Sequence, residues 1–306
     1  MPKFARALLI VNPAARTVST PLVAVIEKAL SADLKLDVVH TARRGHATDA
    51  AREAVAAGDV DLVVVFSGDG TVNEAVNGLA GTGVALGVLP GGATNILVRA
   101  LGLPTDPVEA TAALIDRAQR GVARPLSLGL ADERYFAINC GVGLDAAAMH
   151  RLDRRFPSSK GAYDRAAFTS VLREVLGGYA GKEPNLRVRV DDGEQEPALS
   201  VMIGRTDPYT YYRGRPIRIT PRASLDRGFD VLRIAELPRR RIPALAWHVF
   251  RSGGHVEGKG VGYSHDVRRV GIEADTTFPV QVDGDLMADR ARLSVSLAEG
   301  ALLVVA

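Results

Sequence analysis

Cysteine is almost absent: Cys140 is the only one in 306 residues. An internal disulfide is therefore excluded, and one thiol is compatible with a reducing cytoplasm. Long apolar runs are missing too. None approaches the roughly 18 residues that span a bilayer as a helix. Asn12-Pro13 interrupts the short N-terminal run, which reads as a first strand rather than a secretory signal. The six histidines, His40, His46, His150, His248, His255 and His265, show no zinc-type spacing. No strong charge excess exists either: the net charge is +3, and the pI of 9.1 reflects clustered arginines. No recognition helix or RNA-binding motif accompanies those arginines, so nucleic acid is not the expected partner. Repeats and low-complexity segments are absent. What remains is a chain 47% hydrophobic and 24% charged, a soluble globular composition long enough for two domains.

The chain is organised around Ser67-Gly68-Asp69-Gly70-Thr71-Val72-Asn73-Glu74. An apolar run, 62–66, precedes it, and Val72, Ala75, Val76 and Leu79 follow at helical spacing. This reads as a buried strand, a glycine-rich turn and a helix start. Thr71 and Glu74 have the spacing of a capping box. The glycines let a ligand approach the main chain, and a phosphate at this helix N-terminus is favoured by the dipole and the N–H groups. Upstream, strands are expected at 5–11 and 36–40, and helices from Pro21 and Ala47. Downstream, a strand at 84–89 empties into Pro90-Gly91-Gly92-Ala93-Thr94-Asn95, followed by a helical run. The alternation implies βαβ units and a parallel sheet with helices on both faces. Right-handed crossovers bring Asn12, Thr41 and the Asp69 and Gly92 loops to one rim.

Near residue 125 the pattern changes. Short alternating strands appear, such as Leu186, Val188 and Val190 between Arg187 and Arg189. They predict an antiparallel, sandwich-like β-rich domain, interrupted by helical pieces near 162–179 and 241–251. The expected division is an α/β nucleotide-binding domain at 1–126 and a β-rich domain at 127–289. Residues 290–306 either complete the second domain or return to the first.

These residues carry a family resemblance. Ser67 to Leu79 is similar to the signature of the diacylglycerol kinase catalytic domain, a family that includes bacterial lipid kinases, sphingosine kinases and ceramide kinases. Leu89 to Asn95 resembles its second nucleotide loop. Asn12-Pro13, Thr41 with Gly45-His46-Ala47, Gly141-Val142-Gly143-Leu144-Asp145-Ala146 and Val280-Gln281-Val282-Asp283-Gly284-Asp285 resemble further elements, in the family's order. The resemblance implies an ATP-dependent kinase acting on the hydroxyl of diacylglycerol or a related lipid, with the active site between the domains. It implies that Asn12, Ser67, Gly68, Gly70, Thr71, Gly92, Thr94 and Asn95 surround the phosphates. Thr41, Asn73 and Glu74 would lie near the nucleotide. Asp69 would manage Mg²⁺, and Asp285 would take the hydroxyl proton. Arg16 either contacts a phosphate or is a solvated surface arginine.

Some positions depart from the family. Ser67 replaces a glycine, Ala93 a threonine, and Asp285 the usual Glu. Arg227 stands where some bacterial members have an acidic ligand of a structural Mg²⁺; arginine cannot ligate it, so that site is not expected here. Arg205-Thr206 stands where an asparagine is common. Three arginine clusters are candidates for transient membrane association, placing the protein in the cytoplasm at the inner membrane face. They are Arg151/Arg154/Arg155/Lys160, Arg213/Arg215/Arg218/Arg222 beside Tyr209, Tyr211 and Tyr212, and Arg239-Arg240-Arg241 leading into Leu245, Trp247 and Phe250. A homodimer stays open. The competing readings are a non-catalytic nucleotide- or lipid-binding protein of the same fold and an NAD kinase-type phosphotransferase.

Overall fold

The structure, a computed structural model, describes residues 4–155, 171, 173–212 and 214–306. Most of the expected 162–179 helix lies outside the described residues, as do Lys160, Arg213 and the side chains of Arg154 and Arg155. The chain forms two compact units, Met1–Leu128 with Ala298–Ala306, and Gly129–Leu297.

The first unit is built on buried parallel strands. Its elements are β1 (Arg6–Val11), α1 (Thr20–Ser31), β2 (Lys35–His40), α2 (His46–Ala57), β3 (Leu62–Ser67), α3 (Asp69–Leu79), β4 (Ala85–Pro90), α4 (Ile96–Ala100) and α5 (Pro107–Gln119). The strand order is β2-β1-β3-β4, and Leu303 and Val304 of the last strand add in parallel beside β4. Ala7, Leu9, Val11, Leu62, Val64 and Phe66 pack on Val23, Ile26 and Leu30 of α1 and on Ala110, Leu114 and Ala118 of α5. The alternate residues Leu8, Ile10, Val63 and Val65 are buried as well, on the face that α2 and α3 cover. Both faces being covered explains why β1, β3 and β4 read as continuous apolar runs rather than alternating ones. Each fully buried Val, Leu or Ile contributes about 1.5–3 kcal/mol, which holds the register. That register pairs Val11 with His40, Val11 with Phe66, and Phe66 with Leu89. The four strand ends therefore lie in one row, and their loops leave from one rim. Helix α5, not among the expected elements, is opened by Asp106, whose carboxylate accepts from the N–H groups of Val108 (2.9 Å) and Glu109 (3.0 Å).

In the second unit two antiparallel sheets share one core. Its elements are β5 (Arg124–Ala131), β6 (Arg134–Phe136), β7 (Asn139–Val142), α6 (Leu144–Arg155), β8 (Leu186–Val190), β9 (Gln195–Ala198), β10 (Ser200–Gly204), β11 (Thr210–Tyr212), β12 (Arg215–Ile217), β13 (Phe229–Ile234), α7 (Ile242–Arg251), β14 (Val261–Val267), β15 (Arg269–Phe278), β16 (Val280–Val282), β17 (Asp285–Leu286) and β18 (Arg290–Val304). β5 brings the chain into this unit and β18 returns it to the first. One sheet runs β14-β13-β10-β7-β16-β17; the other includes β9-β8-β15 and the first part of β18. Cys140, Val201, Ile203 and Val231 from the first sheet meet Val188, Ile272, Leu293 and Val295 from the second. Leu186 and Val188 point inward while Arg187 and Arg189 stay exposed, as their alternation predicts. Cys140 is fully buried and burial pushes its thiol up, so it serves as a small apolar core residue.

Candidate functional site

Four helix N-termini follow the strand ends of the first unit, and α3 supplies a carboxylate to two of them. Glu74 reaches across to α2, accepting from the N–H groups of Gly45 (2.8 Å) and Ala47 (3.2 Å). Thr48 Oγ1 donates to the Glu74 carbonyl (2.7 Å) and doubles the tie. Asp69 serves α4: its Oδ2 accepts from Ile96 N–H (3.0 Å) and Thr94 Oγ1 (3.2 Å), and its Oδ1 from Leu97 N–H (3.1 Å). An anion at a helix N-terminus is favoured by the dipole, so both placements are electrostatically sound. Helix α3 itself has no side-chain cap. Its first backbone bond runs from Val72 N–H to Gly68 O (3.2 Å), which leaves the first-turn N–H groups of Gly70 and Thr71 directed out of the helix end.

This corrects the capping-box reading. Thr71 lies inside the helix, not before it, and its Oγ1 accepts from Asn12 Nδ2 (3.0 Å) and Ser67 Oγ (2.8 Å). Glu74 is drawn to α2 because that helix end needs an acceptor and Gly45, its N-cap residue, has no side chain. Asn12 Oδ1 accepts from Ala14 N–H (2.9 Å) and shapes the loop carrying exposed Arg16. Thr17 N–H donates to Gly91 O (3.0 Å) and pins that loop against the second glycine loop. Thr41 is half-buried at the β2 end, its N–H on Val11 O (2.8 Å). Asn73 is buried, with Asn77 Nδ2 on its carbonyl (2.9 Å) and on its Oδ1 (3.3 Å). The register and these ties bring the Asn12, Thr41, Asp69 and Gly92 loops to one rim.

The glycines of the two loops answer to each other as much as to a ligand. A Cβ on Gly92 would stand 2.6 Å from Gly68 Cα, a backbone clash that no rotamer relieves. Asn95 then locks the second loop, with Oδ1 accepting from Gly92 N–H (2.8 Å) and Nδ2 donating to Gly92 O (3.1 Å). The Gly92 N–H is thus committed within the protein. Gly92→Ala is expected to destabilise the first unit by about 1–3 kcal/mol, the usual range for overpacking, and to weaken nucleotide binding. Thermal unfolding together with calorimetric ATP titration would check it.

Asp69 is a clamp. Burial pushes its carboxyl up, opposed by the N–H and O–H donors from Ile96, Leu97 and Thr94. A carboxylate offers about four acceptor sites, and here Ile96, Leu97, Thr94 and the backbone N–H of Asp69 itself act on it as hydrogen donors, a poor setting for a metal ligand. Among the described residues no group of three or more His, Cys, Asp or Glu side chains gathers to hold a metal.

In the second unit the two motifs at 141–146 and 280–285 meet. Gln281, fully buried, donates through Nε2 to Asp145 Oδ2 (2.7 Å) and Asn139 Oδ1 (2.7 Å) and accepts Gly284 N–H on Oε1 (2.7 Å). Tyr209 OH donates to Asp145 Oδ1 (2.9 Å), and burial pushes the Asp145 carboxyl up. A Cβ on Gly141 would stand 2.4 Å from Asp145 Oδ2, which explains the glycine before this aspartate. Asp283 accepts three backbone N–H groups, from Ala137 (2.9 Å), Ile138 (2.9 Å) and Asn139 (2.8 Å). The turn so fixed presents Asp285, which accepts from Arg134 Nη2 at 2.6 Å. Sequence reasoning named Asp285 and the two motifs that carry Asp145 and Gln281, but not the bond between those two or the pairing of Asp285 with Arg134. Both motifs were visible, but nothing local links residues 136 positions apart.

Residues 225–228 do not fit the structural metal that the family resemblance would place there. Their carbonyls turn toward Arg205, which is fully buried. Its guanidinium donates to the carbonyls of Arg227, Gly228 (3.3 Å) and Leu225 (2.8 Å). Burial lowers its pKa to about 10, so it stays cationic at neutral pH. The Arg227 side chain lies instead 3.4 Å from His265 Nε2. Arg205→Met takes the donor from these carbonyls and should lower stability by about 1–3 kcal/mol, the cost of leaving a buried acceptor unsatisfied. In contrast, EDTA or added Mg²⁺ should leave the unfolding midpoint of the unliganded protein unchanged. A marked loss of that midpoint in EDTA would contradict this account.

Comparison with known proteins gives two family matches. Residues 6–124 match the family described as the diacylglycerol kinase catalytic domain, and residues 139–306 the one described as the YegS C-terminal NAD kinase beta sandwich-like domain. A diacylglycerol kinase of Bacillus subtilis is 39% identical over 142 residues, covering 45% of this chain and 46% of that protein. One from Staphylococcus carnosus is 27% identical over 287 residues, covering 92% and 88%. The crystal structure of a diacylglycerol kinase from Bacillus anthracis superposes with a TM-score of 0.72 at 24% identity, covering 100% of this chain and 98% of that one; it supports the fold.

Proposed function

The chain belongs to the family that joins a diacylglycerol kinase catalytic domain to a YegS-type C-terminal domain, and from that premise we propose that it is an ATP-dependent lipid kinase. It transfers the γ-phosphoryl group to the hydroxyl of diacylglycerol or a related lipid. The observation that carries the reading is the α3 N-terminus, left without a side-chain cap while α3 carboxylates fill the neighbouring helix ends of α2 and α4. An uncapped helix end on a rim of strand ends suits a polyphosphate.

Phosphoryl transfer asks the protein for positioning and charge neutralisation. Gly70 and Thr71 N–H groups and Arg16 hold phosphate oxygens, with Thr41 close to the nucleotide. Asn12, Ser67 and Thr71 fix the loop, and Asp69 with Asn95 sets the second loop. Mg²⁺ arriving with the nucleotide would supply charge neutralisation at the phosphates. Asp285 accepts the proton of the attacking hydroxyl. The test is radiolabelled ATP with vesicles of several lipids and, separately, NAD. Label on a diacylglycerol-class lipid is the expected result. Tight ATP binding with no transfer to any lipid would leave a non-catalytic binding protein, and label on NAD would point to the NAD kinase-type reaction.

A further inference from the structure

Residues 239–252 contain four arginines, one tryptophan and no acid. Their helix, α7, is apolar in composition, yet none of its residues is buried. Ile242, Leu245, Val249 and Phe250 are half-covered where the helix packs on β12 and on the turn at 254–257. The outward face carries Pro243, Ala244, Trp247 and Arg251, spaced three and four apart as one helical stripe. Trp247 is 61% exposed, the most exposed large apolar side chain among the described residues. Arg251 lies over its ring at 5.1 Å. Arg239 and Arg240 stand exposed at the helix start, while Arg241 is turned aside to the Lys259 carbonyl (2.9 Å).

The other two arginine clusters are partly used within the protein. Arg151 pairs with Glu174, Arg218 with Asp207, and Arg222 lies over the Tyr263 ring at 5.8 Å. We propose that α7 is a membrane-docking element, seating Trp247 in the interface of an anionic bilayer with Arg239, Arg240 and Arg251 on lipid phosphates. The partner class rests on the lipid-kinase reading; the docking chemistry rests on the helix. A ten-residue helix is about 15 Å long and cannot span a bilayer, whereas lying in the interface suits an apolar stripe flanked by arginines. Within residues 239–252 the charge is of one sign, matching anionic headgroups. A protein partner fits less well, because a lone exposed ring among alanine and proline offers little of the packed apolar centre that protein interfaces use.

Trp247 is the chain's only tryptophan, so its emission reports this helix directly. The test uses the full chain without ATP, mixed with vesicles of phosphatidylglycerol and phosphatidylcholine or of phosphatidylcholine alone. A blue shift and protection from acrylamide quenching on the anionic vesicles only is expected. The double variant Arg239→Ala/Arg240→Ala should bind those vesicles about 30-fold more weakly by sedimentation, at roughly 1 kcal/mol per basic residue near the surface. Trp247→Ala should bind more weakly with an unchanged unfolding midpoint. Unchanged emission on anionic vesicles, equal binding by the double variant, or equal binding to neutral vesicles would overturn the proposal. A parallel assay with ATP and a dispersed short-chain diacylglycerol tests the kinase reading alone. Its failure with vesicle binding intact leaves the docking inference standing, and the reverse result leaves the kinase reading standing.

Discussion

Asp285→Asn is expected to lower turnover by about 10²–10⁴-fold, the contribution of a positioned general base, while ATP affinity stays near wild type. The carboxylate is mounted on a turn with little freedom. Asp283 binds three consecutive N–H groups on one side, and Gln281 holds Gly284 N–H on the other. The substitution also removes the ion pair with Arg134, but that pair is partly exposed, and such pairs are worth about 1 kcal/mol or less. A rate loss of several orders of magnitude would therefore reflect chemistry rather than unfolding. Asp285→Glu separates the two further, since it restores a carboxylate one methylene longer and should recover much of the lost rate. Steady-state kinetics with diacylglycerol, calorimetric ATP titration and the unfolding midpoint check the three statements. Near-normal turnover in the Asn variant would remove Asp285 from the mechanism.

The parallel half of the fold was legible because its strands are buried on both faces. Residues 62–66 show an unbroken apolar run that only a covered strand explains, and the alternation at 186–190 is equally direct for the sandwich. The rim followed from topology, since right-handed crossovers put every strand-to-helix loop on one edge. What stayed hidden were bonds between distant residues. Thr71 and Glu74 have capping-box spacing, but Glu74 finds Gly45, 29 positions away. Residue spacing along one helix says nothing of a neighbouring helix end that needs an anion more. Likewise, Arg227 shows that a metal ligand is missing, whereas the cation that takes up the loop carbonyls is Arg205, 20 to 23 positions earlier. Gly92 has the look of a ligand-approach glycine, and much of its constraint comes from Gly68 instead.

Asp69→Asn is expected to destabilise the first unit as well as abolish turnover, and the stability loss separates a clamp from a metal ligand. Both oxygens of Asp69 face N–H donors, from Ile96 on one side and Leu97 on the other. An asparagine of the same shape must place its own NH₂ against one of them, and either flip leaves a buried backbone N–H without an acceptor. Such a group costs about 1–3 kcal/mol, and the charge-assisted character of the remaining bonds is lost as well. A midpoint lower by about 5–10 °C would follow for a unit of this size. Asp69→Ala should be worse, since it orphans both N–H groups and the Thr94 hydroxyl and frees the start of α4. If Asp69 acted only through Mg²⁺, the Asn variant would keep its full midpoint in metal-free buffer and lose activity alone. A clamp gives the opposite signature: the stability loss persists in EDTA, and ATP affinity falls because the second glycine loop is no longer held beside the open end of α3.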